Sequence, residues 1–144
     1  GFDWDEIGEP DERSFACWEF WTESWQGVNQ EHFEMQVPAR SVRLLALQPY
    51  AAHPQFLTSD RHMTQGGVEL KDQRWAEDRL EATIEVIGGF PMTARFAVPE
   101  SFAFKGLDVT PGVRAEVRPE AGGKVLAVTL TAEKTVAAKL TLRF

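Results

Sequence analysis

Asp60, Arg61 and His62 stand side by side in HPQFLTSDRHMTQGG, the stretch from His53 to Gly67. As an active site, His62 would be a general base and Asp60 its orienting partner. That chemistry needs a nucleophile. No Gly-x-Ser-x-Gly elbow is present, and the one cysteine, Cys17, sits among Phe15, Ala16, Trp18 and Phe20, where a cysteine acts as a small buried apolar residue. As a metal site, His53, Asp60 and His62 would be ligands, but a nine-residue gap between the histidines across a proline loop is not zinc spacing. A structural role asks least of these residues. Arg61 offers five donors in a fixed fork to carbonyls or a carboxylate, Asp60 or Ser59 closes a local turn, and Gly66-Gly67 admits the next strand. Asp60, Arg61 and His62 are therefore expected to organise a junction, with Arg61 as its anchor, and no catalytic residue, metal or cofactor is assigned.

Two other groups invite chemistry. Glycoside hydrolysis uses two facing carboxyls roughly 5–10 Å apart. Glu81 and Glu85 share a face of one period-two run, and Glu69 could lie near. Arg79 and Thr83 alternate on that face, with Arg95 expected across it, so a charge-paired sheet surface accounts for the acids. Trp18, Trp21, Trp25 and Trp75 are candidates for stacking on the apolar faces of sugars. Trp21 and Trp25, beside Glu23, Gln26 and Asn29, have the right chemistry, and Trp21, Trp25 and Asn29 form the candidate carbohydrate contact. Tryptophan is also a large core filler. Trp18 and Trp21 fall on opposite faces of a strand and are expected in the core, which leaves Trp25 as the exposed ring.

The elements that must position these residues are strands. RLEATIEV turns Leu80, Ala82, Ile84 and Val86 one way; PMTARFAV, VRAEVR and VAAKLTLR alternate likewise. Each gives a strand with one face in a core and one in water, as in antiparallel sheets. Gly88-Gly89, Pro111-Gly112 and Gly122-Gly123 punctuate them. HFEMQV also alternates, SFACWEFW carries aromatics on both sides, and LLAL in SVRLLALQ is continuous, as in a central strand covered on both faces. The expected fold is an all-β antiparallel sandwich without a helix of more than about two turns outside residues 1–14. An acidic segment, 1–14, precedes the sandwich, 15–144. The sandwich divides into a first strand group at 15–50, a junction at 51–66 and a second group at 67–144. Leu44, Ile84, Phe96 and Leu140 are expected in its core.

Composition narrows the function classes. At 144 residues and 43% hydrophobic, the chain can bury a sizeable core. No apolar run reaches the roughly 20 residues that cross a bilayer, and no signal peptide is visible. The net charge of −7 is concentrated: residues 1–20 hold seven acids and one base, the remainder 15 acids and 14 bases. Neither part offers a basic stripe for nucleic acid or an anionic membrane. The acidic run reads as a solvated leading segment. The compartment is not encoded in these features.

CWEFW, TESWQG and MQVPARSVRLLALQP together resemble the closing β-module of melibiase-like, α-galactosidase-related glycoside hydrolases. That module has an aromatic "DFW"-type strand, a glycine turn and an "lP-x-x-S-x-x-L-L-x-L" run. The matching positions are Glu19-Phe20-Trp21, Gly27, Pro38, Ser41, Leu44, Leu45 and Leu47. HPQFLTSDRHMTQGGVEL is similar to the segment that follows the module in a bacterial branch. The resemblance covers about residues 15–75. It implies a non-catalytic accessory domain whose partner is the catalytic barrel of the same parent chain, because such enzymes carry their catalytic carboxylates on the barrel. Two alternatives stand beside it: a carbohydrate-binding module using exposed aromatics, and a domain that docks to another protein.

Overall fold

The computed structural model describes residues 1–9 and 13–144. They form two compact units, Gly1–Ala51 and Ala52–Phe144. All paired strands are antiparallel. The helical content of the described residues is two short 3-10 turns, Trp4–Ile7 and Ala121–Gly123.

The first unit contains β1 (Phe2–Asp3), β2 (Ser14–Glu19), β3 (Ser24–Gln30), β4 (His32–Phe33) and β5 (Leu45–Pro49). Its main sheet runs β3-β2-β5, and β1 pairs with β4. Trp4, Phe15, Cys17 and Phe33 form its core, with Phe2, Met35, Leu45 and Leu47 packed on them. The Trp4 ring lies 4.6 Å from Phe15 and 5.5 Å from Phe2. The acidic leading segment is thus solvated only in part: Asp3, Asp5 and Glu6 are exposed, but Trp4 is fully buried between them. Asp11 and Glu12, from the same acidic run, lie outside the described residues.

Two strands here differ from the pattern in the sequence. The continuous LLAL run lies on an edge strand, and β2 is central. Leu44 lies before β5, half-buried, and its N–H serves a carboxylate instead of a ladder. HFEMQV pairs only at His32–Phe33.

The second unit is the sandwich. It contains β6 (Gln55–Ser59), β7 (Leu70–Ala76), β8 (Arg79–Val86), β9 (Met92–Ala97), β10 (Gly106–Val109), β11 (Val113–Glu120), β12 (Val125–Ala132) and β13 (Val136–Arg143). One sheet runs β10-β13-β8-β7 and the other β11-β12-β9-β6. Two connections, β7–β8 and β11–β12, are hairpins; the other five pass from one sheet to the other. Alternating apolar positions place Leu80, Ile84, Phe96, Leu130 and Leu140 in the shared core with Phe56. Ile84, Phe96 and Leu140 are thus buried as expected.

The span 51–66 begins at the division between the two units and is more than a connection. It holds β6, an edge strand whose five residues are all buried. Full burial erases the period-two signal. The free edge of β6 is closed in part by Gln73, whose Oε1 accepts the Phe56 N–H at 2.9 Å.

Candidate functional site

Residues 60–69 link β6 to β7 across the two sheets. Asp60 extends the pairing with β9: its N–H donates to the Thr93 carbonyl at 3.1 Å, and its Oδ1 accepts the Thr93 N–H at 2.7 Å. His62 Nδ1 contacts Oε1 of Glu69, a carboxylate with 3% of its side chain exposed, while half of the imidazole is in solvent. Ser59 Oγ lies 3.5 Å from the other Glu69 oxygen. The acid therefore stands between serine and histidine, the wrong order for a base-activated hydroxyl, which needs the histidine in the middle. Gln65 and Gly66 take positive φ, and a Cβ on Gly66 would lie 2.3 Å from the Phe56 ring. Glycine at 66 is what lets the loop close onto the core.

Arg61 is not the hydrogen-bonding anchor expected of it. Its guanidinium lies 5.3 Å from the Phe90 ring centroid, and its Nε is buried without a partner among the described residues. Several of the loop's carbonyls are taken by its own backbone: Gln65 N–H donates to His62 O, Gly67 to Thr64 O and Leu70 to Gly66 O. Three carbonyls that the fork could have served are therefore bonded within the loop. His53 and His62 flank opposite ends of β6. The His53 ring stacks on Trp75 at 5.3 Å with planes 4° apart, and its Nδ1 pairs with the Pro54 carbonyl. Among the described residues no group of three or more His, Cys, Asp or Glu is placed to hold a metal ion.

Three of the four candidate tryptophans, Trp18, Trp21 and Trp25, sit on the β2–β3 hairpin, and Trp75 lies on β7. Trp18 is buried, Trp25 half-buried, and Trp21 is the exposed ring at 52%, edge-on to Phe20. Trp21 lies in the turn beyond β2, so the strand-face rule does not bury it. The neighbouring polar groups are engaged internally. Asn29 donates to Gln26 O at 3.1 Å, Gln26 donates to Ser24 Oγ at 2.7 Å, and Ser24 Oγ shares a hydrogen with Thr22 Oγ1.

The same hairpin holds a fully buried carboxylate, Glu19. It accepts the Thr22 N–H at 2.7 Å, the Thr22 hydroxyl, and the Leu44 N–H at 3.3 Å. Burial pushes its pKa up, but the bonds from Thr22, Leu44 and the Trp21 N–H outweigh this and hold it below the usual range. In the sequence Glu19 enters only as a position of the family resemblance; an acid beside Phe20 and Trp21 carries no spacing signal for a buried acceptor. Burial likewise pushes the Cys17 thiol to about 11, only partly offset by Asn29. At neutral pH it is an unreactive thiol.

The carboxylates of β8 are surface pairs. Glu81 meets Arg74 at 2.9 Å and Glu85 meets Lys71 at 3.7 Å. Arg95 does not face them; it lies in the other sheet, buried and bonded to Glu120 at 2.9 Å. Glu69 is buried at the base of its loop, away from solvent.

A cleft of about 920 Å³ opens where the β8–β9, β10–β11 and β12–β13 connections converge. Val113, Ala132 and Val136 supply apolar lining; Thr131, Arg114, Glu133 and Lys134 supply polar groups. Gly88 makes the approach of two of these loops feasible. Its N–H donates to Thr135 Oγ1 at 3.1 Å, and a Cβ there would come within 2.6 Å of the Lys134 backbone. The cleft includes none of Trp21, Trp25, Asn29, Asp60, Arg61 or His62. Its residues come from three turns separated in sequence, so no linear motif marks it.

Compared with known proteins, the chain matches no family model, no curated protein and no solved structure.

Proposed function

We propose that this chain is a non-catalytic accessory β-module of a glycoside hydrolase, flanking the catalytic barrel of a longer parent protein. One observation carries the reading. The residues that resemble the melibiase-like module are knit together in the first unit: Glu19, in the aromatic strand, accepts the N–H of Leu44, in the leucine run, 25 positions away. Ser41 Oγ donates to Pro38 O at 2.6 Å, so the proline–serine part of the pattern forms one turn. These residues act as one structural unit, as a family pattern requires. The acids fit a supporting role: Glu19, Asp60 and Glu120 are each consumed by hydrogen bonds that hold backbone or arginine in place.

The test is expression of the full parent reading frame with and without this segment. The full protein is expected to hydrolyse nitrophenyl α-galactoside, the isolated chain to leave a nitrophenyl glycoside panel untouched, and deletion of the segment to lower thermal stability. Turnover by the isolated chain that one carboxylate substitution abolishes would refute the reading, as would a parent without glycosidase activity.

Carbohydrate binding is the second reading, favoured by the exposure of Trp21. A polysaccharide pull-down that Trp21→Ala abolishes at unchanged stability would establish it in place of the first.

A further inference from the structure

We propose that the cleft between the β8–β9, β10–β11 and β12–β13 connections binds a small polyhydroxylated anion, a sugar acid or a sugar phosphate. The inference does not rest on the glycosidase reading, which concerns the first unit and its parent chain.

Charge pairing in the sandwich carries the first step. Of its twelve Lys and Arg residues, nine are matched: to carboxylates, to a carbonyl in the case of Lys105, or to the Phe90 ring in the case of Arg61. Arg114, Lys134 and Lys139 are left with no side-chain hydrogen bond or ion pair to another described residue, and two of these three line the cleft. A guanidinium fork matches a carboxylate or phosphate with two parallel hydrogen bonds, and an ammonium adds a second charge.

The remaining lining selects what else the anion must carry. Val113 and Ala132 are buried and Val136 is half-buried, so they give the cleft a small apolar floor against which the C–H face of a ring can lie. Glu133 and Thr131 also line the cleft, and Glu133 is unpaired among the described residues. An acid beside two cations disfavours a ligand that is only charge and favours one whose hydroxyls can donate to it. Gly89 and Gly112 close the lining, and a Cβ on either would meet nothing within 4 Å, so the opening is unobstructed. The volume of about 920 Å³ lies within the roughly 300–1,000 Å³ typical of small-molecule sites.

The test is a titration of the ¹⁵N-labelled chain with sodium glucuronate, glucose 6-phosphate, glucose and inorganic phosphate at constant ionic strength. Saturable amide shifts at Gly89, Gly112 and Arg114 are expected with glucuronate or with glucose 6-phosphate, and which of the two binds tighter identifies the anion. Arg114→Ala and Lys134→Ala should each weaken binding about tenfold, the size of one lost charge-assisted contact. Both side chains are exposed and unpaired, so the melting temperature should stay put. Arg118→Ala, on the same strand but paired with Glu120, should leave affinity unchanged. The proposal is overturned if neither charged sugar gives saturable shifts, if glucose or inorganic phosphate binds as tightly as they do, or if the Arg114/Lys134 double variant still binds.

Discussion

Asp60 and Arg61 are neighbours with opposite fates, and the difference lies in what each side chain found unclaimed. Asp60 takes an amide on β9 that would otherwise end its ladder, while the Arg61 guanidinium lies over the Phe90 ring and its Nε has no partner among the described residues. Asp60→Ala should therefore lower stability by about 1 kcal/mol, one hydrogen bond to a charged acceptor at an exposed site, with Asp60→Asn recovering part of it. Arg61→Ala should cost less, about 0.5 kcal/mol, for one ring contact. Urea melts of the three variants check the order, and a larger loss at Arg61 would contradict this account. The sequence showed that Asp60, Arg61 and His62 stand together, and it showed the donors and acceptors they carry. It could not show which backbone groups the fold leaves open, because that depends on Thr93, Phe90 and Glu69, between 7 and 33 positions away. Trp21 was misplaced for a related reason. β2 ends at Glu19, and Trp21 lies in the turn that follows, where strand alternation no longer sets which way a side chain faces.

Legibility followed alternation in the sequence and not burial alone: β9 is buried at all but one position yet its run alternates, whereas β6 and β12 were not read as strands. β8 covers Arg79–Val86 and β13 covers Val136–Arg143, matching the runs RLEATIEV and VAAKLTLR. β6 and β12 are buried almost throughout, so neither shows an alternation that would set its register. Ile84 tests the legible class. It is fully buried at the centre of β8, and Ile84→Ala should cost about 2–5 kcal/mol in chemical denaturation. The β7–β8 hairpin offers the opposite sign. Its two-residue turn, Glu77-Asp78, holds Glu77 at φ 59°, where a side chain is disfavoured by about 1–2 kcal/mol. Glu77→Gly gives up the pair with Arg79, a surface contact of little worth, and Gly restores part of the cost as unfolded-state entropy. A net gain of about 0.5 kcal/mol is expected, read as a rise in melting temperature.

Across the whole molecule, charge and topology divide the chain differently. Residues 1–51 hold ten acids and three bases, and residues 52–144 hold twelve of each, so the entire net charge of −7 belongs to the first unit. Each unit also has an acid held below its ordinary pKa. Glu19 is the first; Glu120 is the second, where burial is outweighed by hydrogen bonds and charge from Arg95 and Arg118. A folded-state pKa below the unfolded value of about 4.5 means that the stabilisation is complete above that pH and is lost as the pH falls through the folded values. Denaturant midpoints should therefore hold from pH 7 to about 5 and drop steeply below 4.5. Glu19→Gln should lower the neutral-pH value and flatten the descent. The five sheet-crossing connections bear on time more than on equilibrium. β13 lies between β10 and β8, and β12 lies between β11 and β9, so one of the two inner strands of each sheet is made only after six of the eight. A ribosome that has finished β11 has produced only one completed strand pair of the first sheet, β7–β8, and one of the second, β6–β9. Closure must wait for pairings between distant segments, which places folding in the slow, millisecond-to-second regime of non-local β-proteins. In that interval the inner faces of β8 and β9 are the surfaces that a growing chain has to keep from its neighbours.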